Sequence, residues 1–211
     1  MTIGPTIRLT CPNCWGHKYI ESISSGNTFR GTIWSDSKKD YPMLRYPSPI
    51  QKCPACGGYF FYGDATVKEE KFPSRHDREA GENGYGDLTE KESGEAYKAL
   101  WAEDLSRHKR DQLLTTRLYA FNDEYLREKD SLPKEMESVQ AEFAARLMDL
   151  YKGSPLFVAE LLRETGRFDE AALLLRDLIG VGEAEDEKKV ARMMLERAEN
   201  RDRTVFIVAQ W

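Results

Sequence analysis

Apolar side chains change their spacing along the chain, and this change predicts two kinds of structure. In the first third, short runs such as KYIESI and YFFYG combine β-branched and aromatic residues between turn residues, which is typical of short β-strands. Further on, apolar residues recur every three or four positions, the period of an amphipathic helix. We therefore expect an α+β protein, with a small β-rich domain at 1–66, a polar linker at 67–88 and an all-α domain of helical hairpins at 89–211.

The expected helices carry signals at their ends. Thr89 and Glu92 have the spacing of a capping box, in which each side chain bonds a backbone N–H that the helix leaves free. Gly166 and Gly180 are expected just after helices, because glycine adopts the left-handed cap without strain. The closing TVFIVAQW fits either a docked strand or an exposed tail. The apolar stripes are Tyr97, Trp101 and Leu105; Leu114, Leu118, Phe121 and Tyr125; Met136, Val139, Phe143, Leu147 and Leu150; Leu174, Leu175, Leu178 and Ile179; and Val190, Met194 and Ala198.

Charge is distributed unevenly along the chain. The formal net charge is −5, but the first 64 residues hold seven Lys and Arg against four Asp and Glu, a net of +3. A zinc ion bound by four thiolates would add a charge of about −2 there, which weakens any attraction to phosphates. No apolar run approaches the roughly 20 residues that span a bilayer, and the N-terminus lacks the pattern of a secretory signal. We expect a cytoplasmic protein with no membrane partner.

All four cysteines occur in two CPxC pairs, Cys11 with Cys14 and Cys53 with Cys56, separated by 38 residues. Two such turns can bring four thiolates around one ion, and Zn²⁺ binds four thiolates at about 2.3 Å. A site with four protein ligands leaves no position for substrate or water. The pattern therefore predicts one structural zinc ion that stabilises its domain and does not catalyse a reaction.

Other uses of these cysteines stay open. Disulfides are disfavoured in a reducing cytoplasm, and thiol exchange would need a CPxC pair at a helix start after a strand, which the pattern does not predict. Iron also binds four thiolates. His17 follows the first pair and could replace a ligand, although a surface or packing role is the simpler expectation.

Catalytic constellations are missing from the sequence. The three histidines, His17, His76 and His108, provide no HExxH motif, and no phosphate-binding glycine loop or dinucleotide fingerprint occurs. Whether the protein is an enzyme stays open, and we expect that it is not.

Several residues are candidates for contact with a partner. Trp34 and Asp36, in the WSD stretch between the cysteine pairs, could form an exposed recognition surface. Trp34 could instead contribute to the core of a small domain, and we favour this core role. Arg163, Lys188, Lys189 and Arg192 could meet an acidic partner segment, although solvated helix charges usually contribute little.

Two stretches resemble known modules. Residues 8–64, with TCPNC and KCPACGGYF, resemble a zinc ribbon. Residues 155–180, in the string AELLRETGRFDEAALLL, resemble a tetratricopeptide (TPR) helix pair through Ala159, Gly166, Phe168 and Ala171. The preceding helices lack that pattern, so we expect TPR-like helices and no TPR array. The whole layout resembles a family of uncharacterised bacterial proteins, which implies this architecture and a bacterial source but no activity.

These observations favour a zinc-binding, non-catalytic adaptor whose partner is a protein or peptide. The alternative is a nucleic-acid-binding zinc ribbon, in which aromatic residues stack on unpaired bases and cations contact phosphates. An enzyme or redox protein is the third possibility. The cations available for nucleic acid are Arg8, Lys18, Arg30, Lys38, Lys39, Arg45 and Lys52.

Overall fold

The computed structural model describes residues 2–44, 46–70, 87–102, 104–182 and 184–210. Within them, small antiparallel sheets are followed by six α-helices, so the α+β class is confirmed. The strands are β1 (Thr2–Thr10), β2 (His17–Ser25), β3 (Thr32–Trp34), β4 (Lys39–Asp40), β5 (Ile50–Lys52), β6 (Tyr59–Phe61), β7 (Thr66–Glu70) and β8 (Ile207–Gln210). The helices are α1 (Glu90–Leu100), α2 (Arg107–Tyr125), α3 (Glu137–Leu150), α4 (Pro155–Glu164), α5 (Phe168–Val181) and α6 (Glu185–Glu199).

The chain divides into two compact units. Unit 1 is built from Met1–Gly31 and Asp40–Thr116, and unit 2 from Thr32–Lys39 and Arg117–Gln210. These units group the chain differently from the predicted domains, whose boundaries at 66 and 88 stay a prediction. Strand β7 includes residues that the sequence assigned to the linker. The rest of that linker up to residue 86, with His76, lies outside the described residues.

Unit 1 contains a three-stranded sheet and a hairpin. The sheet has the order β2-β1-β7, with both pairs antiparallel, and the hairpin pairs β5 with β6. Ile50 and Phe61 of the hairpin pack in one apolar cluster with Ala96 of α1 and Leu113 of α2. The hairpin therefore shares a core with helices that follow it in the chain.

Polar contacts also join this hairpin to α1. Lys52 forms an ion pair with Glu92 at 3.0 Å, and the Tyr59 hydroxyl donates to Glu95 at 2.7 Å. The predicted capping box is confirmed, because the Glu92 N–H donates to Thr89 Oγ1 and the Thr89 N–H donates to the Glu92 carboxylate. Glu92 thus caps the helix and pairs with the strand at once.

Unit 2 places the helical hairpin α4–α5 beside α6. Ala159 and Ala171 are completely buried, as close helix packing at the TPR-like positions requires, and Gly166 between the helices has φ +77°. Gly180 does not cap a helix, since α5 continues through it to Val181. The C-terminal segment docks as β8 against β3, with Ile33 opposite Ala209, which resolves the choice between strand and tail.

Candidate metal centre

Both CPxC pairs occupy the turn of a β-hairpin. The first pair lies between β1 and β2, and the second between β5 and β6. In the first turn the Cys11 N–H donates to the Gly16 carbonyl at 2.9 Å, and the Trp15 N–H donates to the Cys11 carbonyl at 3.0 Å. These bonds fold six residues into a tight knuckle that points both thiols to one side of the turn.

The second turn repeats the first, bond for bond. The Cys53 N–H donates to the Gly58 carbonyl at 2.8 Å, and the Gly57 N–H donates to the Cys53 carbonyl at 2.9 Å. Gly57 has φ +70°, and Trp15 at the matching position has φ +61°. The left-handed conformation is free of strain only for glycine. The first turn therefore holds a bulky side chain in an unfavourable backbone state, and this indole is 73% exposed.

The four cysteine sulfurs converge into one group, which we name the thiol cluster. The Sγ atoms of Cys11, Cys14, Cys53 and Cys56 all lie within 4.8 Å of one another, and those of Cys14 and Cys53 are 3.6 Å apart. Zn–S bonds of about 2.3 Å in a tetrahedron place the sulfurs roughly 3.8 Å apart. The thiol cluster therefore has the ligand type, number and spacing that a four-thiolate metal ion requires.

Backbone groups around the sulfurs favour thiolates. The Asn13 N–H points to Cys11 Sγ at 3.4 Å, and the Gly16 N–H points to Cys14 Sγ at the same distance. Such N–H groups stabilise negative charge on sulfur. The two turns also meet closely, because a Cβ on Gly16 would lie 2.6 Å from the Ala55 Cβ. Only glycine fits at that position without displacing the opposite turn.

Crowding of the thiols affects their ionisation. The Gly16 N–H lowers the pKa of the Cys14 thiol, but hydrogen bonds from neighbouring thiols and burial together outweigh it and raise the pKa to about 12. In the absence of a cation, the Cys14 thiol therefore retains its proton at neutral pH. A metal ion bound by the thiol cluster would supply the positive charge that permits ionisation of this thiol, and its binding would release the proton.

Three of the alternatives from the sequence, a disulfide, thiol exchange and a histidine ligand, fit this geometry less well. No disulfide joins the four cysteines, which are free thiols. Neither pair lies at a helix start, as thiol exchange of the thioredoxin type would require. His17 begins β2 opposite Thr10, and its Nδ1 lies 3.3 Å from the Thr10 hydroxyl. It is not part of the thiol cluster. Iron matches the same four sulfurs as zinc, so geometry does not separate the two metals.

The WSD stretch lies within unit 2, where it contacts that unit's own residues. The Trp34 ring stacks under the Arg127 guanidinium at 4.3 Å. The backbone of Ser35 donates to the Phe206 carbonyl at 2.8 Å, and its hydroxyl accepts from the Phe206 N–H at 3.2 Å. Asp36 is completely buried. Asp36 therefore does not belong to an exposed recognition surface, because its side chain is buried within unit 2.

The cationic candidates separate into buried and exposed groups. Arg163 is completely buried, and its Nε and Nη2 donate to the two carboxylate oxygens of Glu160 at 2.9 and 2.6 Å, so it is not available to a partner. Lys189 and Arg192 on α6 are exposed. Lys188 is half-buried and pairs with Glu185 of the same helix at 3.3 Å.

Several cations named for nucleic acid already have partners. Lys18 donates to Gln51 at 2.8 Å, and burial lowers the pKa of its ammonium group. Lys38 pairs with Asp123 at 2.6 Å, and Lys52 pairs with Glu92. Arg30 and Lys39 are exposed, whereas Arg45 lies outside the described residues. These internal contacts reduce the charge that the β region offers to phosphates.

A second group of polar side chains is buried in unit 2, and the sequence does not predict that its members lie together. Asn122 and Glu164 are buried beside Asp36, Glu160 and Arg163, and we name these five residues the buried polar cluster. Their sequence separation and their place on amphipathic helices give no local signal. In the structure, six consecutive buried positions, 159–164, distinguish the end of α4 from an ordinary amphipathic helix.

Comparison with other proteins does not assign the chain to a family. No known protein family, curated protein or solved structure matches the chain. Among the described helices, none has the length and apolar content needed to cross a membrane.

Proposed function

We propose that the protein is a zinc-binding, non-catalytic interaction protein in which the thiol cluster holds one structural zinc ion. The observation that carries this proposal is the convergence of four sulfurs from two hairpin turns. Four thiolates complete the tetrahedral shell of zinc, so no coordination position is left for substrate. The ion would join β1–β2 to β5–β6 and thereby stabilise unit 1.

The proposed partner is a protein or peptide. Large apolar side chains are exposed in both units, including Trp15 and Phe29 in unit 1 and Leu173 and Val181 in unit 2. On α6, Lys189 and Arg192 offer positive charge to an acidic segment. Nucleic acid remains the alternative, with less support, since three of its candidate lysines are engaged within the chain. The proposal includes a cytoplasmic location, where thiols stay reduced.

Metal analysis tests the zinc assignment. Native protein should contain one zinc per chain, and its thiols should resist a thiol reagent until a chelator is added, because metal-bound thiolates are not free to react. If the protein contains iron in place of zinc, only the identity of the metal in the proposal changes, and the structural role stays. Metal-free protein whose hairpin amides are fully protected from hydrogen exchange would contradict the structural role.

Capture from a native lysate tests the interaction. The double variant Lys189→Glu and Arg192→Glu should retain less of a captured acidic partner than the unmodified protein. Lys152→Glu is the control, since that lysine is 83% exposed and belongs to the turn between α3 and α4. Nuclease-sensitive capture would favour the nucleic-acid alternative.

A further inference from the structure

The buried polar cluster of unit 2 contains more carboxyl groups than cationic partners can neutralise directly. Glu160 accepts two bonds from Arg163. Asp36 accepts from Asn122 at 3.0 Å, from Arg127 at 3.1 Å, and from the backbone N–H of Lys38 at 3.0 Å. Both carboxylates therefore have the donors that a buried negative charge requires.

Glu164 differs from the other two carboxyl groups. Its Oε2 accepts one bond, from Asn122 Nδ2 at 3.2 Å, and its Oε1 is buried without a hydrogen-bond partner among the residues that the structure describes. The side chain is 1% exposed. A buried oxygen left without a donor is costly, and an ionised carboxylate left in that state is more costly still.

The Asn122 side chain also has a buried oxygen that lacks a donor among the described residues. Its amide nitrogen donates one hydrogen to Asp36 and the other to Glu164, while its Oδ1 is buried without a hydrogen-bond partner in the described part of the chain. Asn122 and Glu164 already share one hydrogen bond, and each has a side-chain oxygen without a donor in the described residues. Both oxygens are acceptors, so a proton carried by the carboxyl oxygen would provide a donor for the amide oxygen.

We propose that Glu164 is a neutral carboxylic acid whose Oε1–H donates to Asn122 Oδ1, so that acid and amide close a ring of two hydrogen bonds. The ring fixes the orientation of the Asn122 amide, and the amide's remaining N–H bonds Asp36. The proton on Glu164 of α4 thereby holds Asn122 of α2 in the orientation that binds Asp36 of the WSD segment. The device is sensitive to alkaline pH, because ionisation of Glu164 removes the donor that closes the ring.

The surrounding charges support a retained proton. Burial, Glu160 and Asp36 raise the pKa of Glu164 well above its usual range, whereas Arg163 and the Asn122 amide oppose them. From α3, Gln140 donates to the Glu164 backbone carbonyl at 3.2 Å and contributes no charge.

Two neighbours complete the charge environment. Burial also raises the pKa of Asp36, against the opposing effect of Arg127. The Asp202 carbonyl, after α6, accepts from Arg163 at 2.5 Å. Asp36 can therefore add to any pH dependence, and only a comparison of variants isolates the part due to Glu164.

The sign of the pH effect follows from linkage. An unfolded glutamate ionises near pH 4.3, so above that pH the folded protein retains a proton that the unfolded chain has lost. Stability is fully present below the unfolded pKa and falls as pH rises toward the folded pKa, by about tenfold in the folding constant per pH unit for one proton.

Glu164→Gln is the decisive variant, since its amide can donate to Asn122 Oδ1 and accept from Asn122 Nδ2 at every pH. We expect the pH dependence of the denaturant midpoint above pH 5 to weaken by about one proton, while the variant folds at least as stably as the parent at pH 8. Glu142→Gln on α3 is the control, since that side chain is 61% exposed, and it should retain the Glu164 slope. An unchanged slope in Glu164→Gln would overturn the proposal.

Infrared spectroscopy gives a readout that does not depend on variant stability. With ¹³C-labelled glutamate, the unmodified protein at pH 7 should show one protonated carboxyl band that shifts with the label and is lost in Glu164→Gln. A spectrum with only ionised glutamates at pH 7 would overturn the proposal, and would indicate that water or a cation satisfies Oε1 instead.

Discussion

The thiol cluster of unit 1 and the buried polar cluster of unit 2 both gather polar side chains, but they compensate charge by different means. The thiol cluster consists of four cysteine sulfurs with no cation of the chain among them, so the positive charge in the proposed zinc site would come from outside the chain. The buried polar cluster contains its own arginine and its own amide. If the proposed zinc ion is bound, a chelator would disrupt the first cluster, whereas the second can be disrupted only by changing a residue or by adding or removing a proton.

The difference also concerns how each cluster uses the chain. The thiols reach one another through two turns of six residues each, with the same hydrogen bonds in both. The polar side chains come from a strand-flanking segment and from different helices, and each depends on several neighbours. A local motif thus builds one site, and the packed tertiary structure builds the other.

Cysteine substitution should have the largest effect on this comparison. Cys53→Ser removes one of four thiolates, and structural zinc sites contribute folding free energies on the order of 10 kcal/mol. We expect hydrogen-exchange protection of β1, β2, β5 and β6 to be lost while most helical circular dichroism of unit 2 remains.

Ala55→Ser is the control for that substitution, because it introduces the same side chain in the same turn without removing a sulfur. It should keep both zinc and protection. Full protection of the four strands in Cys53→Ser would show that the thiol cluster does not hold unit 1 together.

The buried ion pair of unit 2 should give the next largest effect. Arg163→Met leaves the Glu160 carboxylate buried without its partner and frees the Asp202 carbonyl, and breaking a buried pair typically costs about 3–5 kcal/mol. Equilibrium denaturation measures this loss, and zinc content should not change.

Arg167→Met is a matched control for the buried pair. Arg167 also pairs with a glutamate three residues away, Glu170, at 2.6 Å, but the two side chains are 48% and 58% exposed. Exposed pairs contribute about 0–1 kcal/mol. Equal losses in the two variants would mean that burial does not decide the strength of the contact.

Substitutions at the left-handed position of the two turns should change the stability of unit 1 in opposite directions. Trp15→Gly relieves a conformation that disfavours side chains by about 1–2 kcal/mol, partly offset by the entropy of glycine. We expect unit 1 to gain up to ~1 kcal/mol, measured as the zinc-loaded unfolding free energy.

Gly57→Ala makes the reverse exchange and should lose ~1 kcal/mol, because a Cβ there meets no atom within 4 Å and only the backbone conformation is strained. Destabilisation by Trp15→Gly would indicate that the exposed indole contributes contacts to folded unit 1 that outweigh the strain.

Local signals predicted much of the fold. The capping box at Thr89 and Glu92 and the Gly166 cap could be predicted because they involve neighbours in sequence. The Gly180 cap could not, since α5 keeps its hydrogen bonds through that residue and ends at Val181. The hairpin turns could be placed from the CPxC pairs, but the packing of β5–β6 with α1 depends on contacts between distant residues.

The sequence by itself determined the thiol cluster, the α+β class and the absence of recognisable catalytic motifs, because ligand spacing and apolar periodicity are local properties. Only the tertiary structure decided where the WSD stretch lies and which charges are buried. Asp36 and Arg163 look like ordinary surface charges in the sequence, since burial depends on partners remote along the chain. For the same reason the paired orphan oxygens of Asn122 and Glu164 become visible only after the chain has folded.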